Sequence, residues 1–129
     1  MARILLVEDD PDNLNLLTRL LQHNGHEIYS AETAAQAIAQ ATEHVPELIL
    51  MDLQLPPDDN TPPDPNAGLD ATRQIKANES TGHIPIIALT AHTMPHHRER
   101  IAEAGCDDFQ EKPIYPFENL IEKIGKFCG

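Results

Sequence analysis

Several kinds of residue are scarce in this chain, and each scarcity excludes a class of protein. The two cysteines, Cys106 and Cys128, lie 22 residues apart, a spacing that fits neither a Cys-x-x-Cys redox motif nor a disulfide scaffold. Cys106 is therefore expected to pack as a small apolar group at the start of a strand. No apolar run approaches the roughly 20 residues of a membrane span, and the four apolar residues after Arg3 are too few for a signal peptide. These absences favour a reduced, soluble, cytoplasmic protein.

Positive charge is scarce as well. The chain has 9 lysine and arginine side chains against 21 aspartates and glutamates, which gives a net charge of −12. Binding to a phosphate backbone requires clustered basic side chains, so direct nucleic-acid binding is not expected. The acidity instead indicates solubility and a site that binds a cation. With 129 residues and no internal repeat, the chain is expected to form one domain over residues 1–129.

Short apolar segments alternate with amphipathic segments along the chain. The apolar segments predict strands at residues 3–7, 27–31, 48–51, 84–89 and 106–110. The amphipathic segments predict helices at residues 33–44, 69–78, 95–104 and 116–127, and a first helix capped by Asp10, begun by Pro11 and stopped at Gly25. Five strands that alternate with five helices favour an α/β fold with a parallel sheet covered on both faces.

One segment, residues 55–67 (LPPDDNTPPDPNA), interrupts this alternation. Its proline, aspartate and asparagine content is typical of turns and argues against a helix or a strand. Because it follows the strand that ends at Asp52, it is expected to overhang that residue. It is either a tolerated surface insertion or a loop that restricts access to Asp52 or recognises a partner.

Acidic side chains come directly after two of the apolar strands. Glu8 and Asp9 follow the first strand, and Asp52 follows the third. Ligand sites in parallel sheets gather at the carboxyl ends of the strands. Three carboxylates at one edge repel each other unless a hard cation lies between them. The sequence therefore predicts a divalent-metal site built around one reactive aspartate, Asp52.

Five separated motifs resemble the receiver domain of two-component response regulators, the CheY-like phosphoacceptor family. They are Val7-Glu8-Asp9, Leu50-Met-Asp52-Leu-Gln-Leu-Pro56, Ala88-Leu-Thr90-Ala91, Gly105-Cys-Asp-Asp-Phe109 and Glu111-Lys112-Pro113. The run from Ala88 to Met94 looks most like single-domain regulators of the DivK type and the receivers of hybrid kinases. The resemblance covers nearly the whole chain and implies a doubly wound, flavodoxin-like (βα)5 fold with strand order 2-1-3-4-5.

The resemblance also implies how the acidic residues act. Asp52 would be the phosphoacceptor, whose carboxylate oxygen attacks a phosphoryl group. The metal would be Mg²⁺, with Mn²⁺ as an alternative. Its ligands would be Asp9, Asp52 and the backbone carbonyl of Gln54, while Glu8 would act mainly through bound water.

Further roles follow from the same resemblance. Lys112 would contact Asp52 before the reaction and a phosphoryl oxygen afterwards, aimed into the site by a cis bond to Pro113. Thr90 would donate its hydroxyl to the phosphoryl group, and the small Ala91 would leave room for the phosphate. Phe109 would be the rotating aromatic that carries the change to the last two helices, although an aromatic at a strand end also packs as plain core.

The leading hypothesis is a stand-alone response regulator of a two-component or phosphorelay pathway. It would take a phosphoryl group from a sensor histidine kinase or a histidine phosphotransfer protein, then bind a downstream protein differently, as a monomer or weak dimer. It would not be an enzyme, apart from its own phosphorylation and autodephosphorylation. A dimer face on the last two helices would carry the side chains of Glu99, Arg100, Glu103, Lys123 and Lys126.

Four alternative readings stay open. The chain could be a binding scaffold that no longer signals by phosphorylation. An aspartyl-phosphate phosphatase would need an acid where Gln54 stands, and a nucleotide- or flavin-binding module would need a phosphate loop where Glu8 and Asp9 would repel phosphates. His92, His96 and His97 form either a solvated face or a site for a transition metal or pH sensing.

Overall fold

The computed structural model describes residues 2–91 and 95–128. Within these residues, five strands form one sheet in the order β2-β1-β3-β4-β5, with every neighbouring pair parallel. The strands are β1 (Arg3–Val7), β2 (Glu27–Ala31), β3 (Leu48–Asp52), β4 (Ile86–Thr90) and β5 (Asp108–Glu111). The helices are α1 (Pro11–His23), α2 (Ala34–His44), α3 (Ala67–Ala77), α4 (Pro95–Ala104) and α5 (Glu118–Cys128). The predicted fold class and strand order are confirmed.

Apolar side chains pack on both faces of the sheet. On one face Leu5, Val7 and Ile49 belong to a core cluster with residues of α2, α3 and α4. On the other face Ile4 and Leu6 pack with residues of α1 and α5. This two-sided burial explains why the central strands are nearly continuous apolar runs rather than alternating ones. No helix in the described part of the chain is long and apolar enough to cross a membrane.

The start of α1 follows the predicted pattern. The Asp10 carboxylate accepts a hydrogen bond from the Asp12 backbone N–H at 3.1 Å, and Pro11 is the first helical residue. The helix ends at His23, and Gly25 has a φ of +88°, a left-handed conformation that favours glycine. The predicted cap and stop are both confirmed. Because the helix begins so soon after β1, Glu8 and Asp9 are held at the sheet edge.

The boundaries of β4 and β5 differ from the sequence prediction. β4 begins at Ile86 rather than at residue 84, and β5 begins at Asp108 rather than at residue 106. Pro85 has no N–H to donate to the sheet, and the Ile86 N–H donates to the Asp107 carboxylate at 2.9 Å. A side chain therefore takes the place of a backbone acceptor for the Ile86 N–H, while the Asp107 N–H still donates to the Ile86 carbonyl at 2.8 Å. The helices predicted at 69–78 and 116–127 also shift, to Ala67–Ala77 and Glu118–Cys128.

Cys106 lies two residues before β5 and is half-buried against the core. Its Sγ is 3.9 Å from the Thr72 hydroxyl, and burial raises the pKa of the Cys106 thiol to about 11. A thiol with so high a pKa is mostly unreactive at neutral pH. Cys106 thus acts as a small packing group, as the sequence predicts.

The Pro-rich loop, residues 55–66, has defined local structure. An isolated antiparallel bridge joins Leu55 to Asp64, and the Asp64 N–H donates to the Leu55 carbonyl at 2.9 Å. The carbonyl oxygens of Pro56 and Pro57 accept hydrogen bonds from the first two backbone N–H groups of α2, each at 2.9 Å. The expectation that residues 55–67 contain no helix was wrong at Ala67, the first residue of α3. The loop is thus closed on itself and attached to α2.

Gly68, in the first turn of α3, approaches the end of β3 very closely. A Cβ at this position would lie 2.5 Å from the Asp52 carbonyl oxygen and 2.5 Å from the Leu53 Cα. The Gly68 N–H also donates to the Leu53 carbonyl at 3.1 Å. The contact presses α3 against the backbone of Asp52, so only glycine fits without movement of the strand.

Gly68→Ala is expected to destabilise the fold by about 3 kcal/mol, because the added methyl group collides with backbone that cannot rotate away. Gly125→Ala is the matched control. That glycine is also helical, a Cβ there would meet nothing within 4 Å, and alanine should stabilise by about 0.5–1 kcal/mol. Urea denaturation of both variants measures the difference. Equal stability of the two variants would contradict the close contact at Gly68.

Candidate functional site

Three carboxylates converge at the carboxyl edge of the sheet. Glu8 and Asp9 follow β1, and Asp52 is the last residue of β3. One carboxylate oxygen from each of the three lies within 4.8 Å of the others. Glu8 is 1% exposed and Asp52 is 4% exposed, while Asp9 is partly exposed. The structure brings together the acids that the sequence singled out.

Lys112 places a positive charge next to these acids. It follows β5, and its backbone N–H donates to the Thr90 carbonyl at 2.8 Å, which fixes its position beside β4. Its Nζ lies 3.1 Å from Glu8 Oε2 and 3.2 Å from Asp52 Oδ2. The Lys112–Pro113 peptide bond is cis. The contact with Asp52 is the one that the resemblance implies, and the pairing with Glu8 was not predicted.

The acidic side chains of the site outnumber its basic ones, and the pKa values of Glu8, Asp9 and Lys112 are shifted. Burial raises the pKa of Glu8, and repulsion by Asp52 raises it further. Burial also raises the pKa of Asp9, with repulsion by Glu8 as the next cause. Burial alone would lower the pKa of Lys112, but the attraction of Asp52 and Glu8 outweighs it, and that pKa is raised. Three acids against one ammonium leave an excess of negative charge.

This donor set fits a hard divalent cation. Carboxylate oxygens are the ligands that Mg²⁺ prefers, and two unit charges about 4 Å apart repel by about 4 kcal/mol at an effective dielectric near 20. A dication among Glu8, Asp9 and Asp52 would turn that repulsion into attraction.

Backbone groups hold two of the acids in place. The Gln54 N–H donates to Asp52 Oδ1 at 3.1 Å, and the Asp10 N–H donates to Glu8 Oε1 at 3.3 Å. Gln54 also lines the cavity above the site. The metal-binding role of its carbonyl and the water-mediated role of Glu8 stay predictions.

A cavity of about 420 Å³ opens above the acids. Thr90, which is 5% exposed, and Ala91, which is exposed, lie in its wall as β4 ends. Pro63 and Pro65 of the Pro-rich loop line the same cavity, so the loop lies beside Asp52. The space is therefore bounded by the predicted residues on one side and by the loop on another.

The sequence analysis missed two side chains of α4 in this wall. His97 and Arg100 both line the cavity, whereas the sequence analysis places Arg100 on a dimer face of the last two helices. Their spacing of three residues on one helix is a weak signal that they share a face. His96 and His97 have ring centroids 4.0 Å apart, and the predicted partner His92 lies outside the described residues.

Phe109 lies in β5, next to the site in the sheet. It is half-buried against the core. The Arg98 guanidinium lies 5.3 Å from the ring centroid and the Lys123 Nζ lies 5.8 Å from it. Two cations from α4 and α5 thus flank the ring, and its predicted rotation is untested.

Comparisons of the sequence and of the structure with known proteins lead to the same family. The response regulator receiver domain family matches residues 4–125. The chain is 36% identical to the polar-differentiation response regulator DivK of Brucella ovis over 126 residues, which covers 98% of this chain and 95% of DivK. It is 33% identical, with a TM-score of 0.83, to the receiver domain of the sensor histidine kinase PA1611 from Pseudomonas aeruginosa, with coverages of 98% and 96%. That structure has a magnesium ion coordinated in its active site cleft.

The fold has a further parallel in the chemotaxis response regulator CheY4 of Vibrio cholerae. That structure has a TM-score of 0.84 at 24% identity and covers 98% of each chain, a likeness of fold alone. The family match spans nearly the whole chain, and the strand order and the acidic cluster agree with it. This chain belongs to the response regulator receiver domain family.

Proposed function

We propose that this receiver accepts a phosphoryl group on Asp52 in a two-component or phosphorelay pathway and then binds a downstream protein differently. The observation that carries the proposal is the surroundings of Asp52. Its carboxylate is almost wholly buried, lies 3.2 Å from the Lys112 ammonium and lines an open cavity. A carboxylate held beside a cation and open to a donor is suited to covalent catalysis.

The donor would be a phosphohistidine of a sensor histidine kinase or a histidine phosphotransfer protein. A carboxylate oxygen of Asp52 forms a bond to phosphorus while the bond from phosphorus to the imidazole nitrogen breaks. The nitrogen keeps the electron pair and takes up a proton, so neutral histidine leaves and Asp52 becomes an acyl phosphate. Little other covalent chemistry is needed, and the protein contributes mainly position and charge.

Mg²⁺ is the proposed metal. Asp9 and Asp52 would bind it, with Glu8 next to them. When bound, it would neutralise charge on the phosphoryl oxygens and on the attacking carboxylate. The magnesium ion in the PA1611 receiver supports this choice, and no comparable support exists for Mn²⁺.

Lys112 and Thr90 would respond to the new phosphoryl group. Lys112 already contacts Asp52, and its Nζ needs only a small movement to reach a phosphoryl oxygen. Thr90 lines the cavity and would donate its hydroxyl to the same group. A movement of Thr90 would reach Phe109 because β4 and β5 pair along their length, with Ala88 opposite Phe109.

Other residues bear on the cellular compartment and on the alternative functions. Both cysteines are free, which suits a reducing cytoplasmic compartment. Gln54, two residues after Asp52, has no acid to protonate a leaving group, so a role as phosphatase on other substrates is disfavoured. A scaffold that works without phosphate would leave Asp52 unmodified, and labelling separates it from the proposal.

Asp52→Asn is expected to abolish labelling, because an amide oxygen is not a nucleophile of comparable strength. The parent chain should gain one phosphoryl adduct by intact mass after incubation with acetyl phosphate and Mg²⁺. Asp70→Asn, a change at an exposed acid of α3, is the matched control and should label like the parent. Labelling of Asp52→Asn at the parent rate would refute Asp52 as the phosphoacceptor.

Mg²⁺ is expected to raise the free energy of unfolding, because the acids converge only in the folded state. At a Mg²⁺ concentration ten times the dissociation constant the gain should be about 1.4 kcal/mol. Asp9→Asn should lose most of this gain, yet be more stable than the parent in EDTA since one repelling charge is gone. Urea denaturation with Mg²⁺ and with EDTA measures both effects. Equal gains in the parent and in Asp9→Asn would rule out Asp9 as a ligand.

Thr90→Ala is expected to keep phosphorylation within a few-fold of the parent but to weaken the conformational response. The reason is that the hydroxyl is proposed to follow the phosphoryl group, while Asp52 and Lys112 carry out the chemistry. The NMR shift of the Phe109 amide on addition of beryllofluoride, a phosphoryl mimic, measures the response. Thr90→Ser keeps the hydroxyl and should respond like the parent. A full shift in Thr90→Ala would argue against this role.

A further inference from the structure

Phosphorylation would leave the cavity with uncompensated negative charge. Before the reaction, Glu8, Asp9 and Asp52 stand against Lys112, and a dication would balance the surplus. The phosphoryl group replaces the single charge of the Asp52 carboxylate with about two negative charges. Lys112 cannot offset this addition alone, because its Nζ already contacts Glu8 and Asp52. The product state therefore favours a second cation near the phosphoryl group.

Arg100 is positioned to be that cation. Among the described residues that line the cavity, Lys112 and Arg100 carry the permanent positive charges. Arg100 belongs to α4 and lines the same cavity as Asp52. A guanidinium presents several N–H donors in a planar fork, a geometry that suits phosphate oxygens.

At present Arg100 bonds to the Pro-rich loop. Its Nη2 donates to the side-chain oxygen of Asn66. Asn66 is the residue that precedes α3, but its side chain makes no capping hydrogen bond to that helix. The amide that could cap α3 thus instead joins the loop to α4. Further along the loop, Pro56 and Pro57 are bonded to α2.

The two acceptors open to Arg100 differ in strength. A hydrogen bond from a guanidinium to a neutral amide oxygen is weaker than one to an anionic phosphate oxygen. Arg100 and Asp52 line one cavity, and an arginine side chain has enough rotatable bonds to turn within such a space. A phosphoryl group on Asp52 would therefore compete with Asn66 for the same donor.

We propose that Arg100 is a second phosphate-binding residue, which bonds to Asn66 before phosphorylation and to the phosphoryl group afterwards. The exchange releases the Pro-rich loop from α4 and makes the loop a reporter of the phosphorylated state. This inference rests on the proposed phosphorylation of Asp52. Arg100 acts on the product here, beyond the roles already given to Lys112 and Thr90.

The test is the affinity for beryllofluoride at fixed Mg²⁺, measured by ¹⁹F NMR on the full chain. Arg100→Ala should weaken binding about ten-fold, because a charge-assisted hydrogen bond is lost, and Arg100→Lys should recover part of the loss. Asn66→Ala should tighten binding about three-fold, since the competing acceptor is removed. Arg73→Ala, an exposed arginine of α3 that pairs with Asp70, should bind like the parent.

The proposal predicts effects of opposite sign on beryllofluoride affinity for Arg100→Ala and Asn66→Ala. A merely structural link between Arg100 and Asn66 predicts that both alanine variants weaken binding by similar factors, and that result would overturn the inference. Parent-like binding by Arg100→Ala would overturn it as well, while leaving phosphorylation of Asp52 in place. A parent chain that takes up neither beryllofluoride nor a phosphoryl group from acetyl phosphate would overturn the proposed function together with this inference.

Discussion

Mutual repulsion among Glu8, Asp9 and Asp52 is the constraint on which the rest of the site depends. Two of these acids are almost fully buried, where an uncompensated charge is costly. Lys112 offsets part of that cost through contacts with Glu8 and Asp52. The apolar core on both sides of the sheet stabilises the fold enough to hold the charges together. Stability is thus given up at the sheet edge, where the proposed cation and phosphoryl group would bind favourably.

Much of the fold could be predicted because local pattern and tertiary structure agree. β1 and β2 have their predicted bounds, and α2 begins within one residue of its predicted start. The starts of β4 and β5 could not be predicted, since they depend on the Asp107 side chain bonding to the Ile86 backbone. A contact between residues 21 positions apart leaves no trace in the periodicity of either segment.

Part of the site, like part of the fold, could be predicted from the sequence. The convergence of Glu8, Asp9 and Asp52 follows from the chain itself, because each comes at or just after the end of an apolar strand of a parallel sheet. Arg100 could not be placed from the sequence, because it depends on the rotation of α4 and on the path of the Pro-rich loop. Both depend on packing between elements that are distant in sequence. The Glu8–Lys112 pair was missed for a related reason, since one ammonium serves two acids.

The Pro-rich loop can vary in length without moving the elements on either side of it. The bridge between Leu55 and Asp64 brings the two ends of the loop together, so the residues between them can change in number at a small entropic cost. The strand that carries Asp52 and the helix that begins at Ala67 keep their relative positions. The surface beside Asp52, to which Pro63 and Pro65 contribute, can therefore diverge in evolution while the acidic site keeps its geometry.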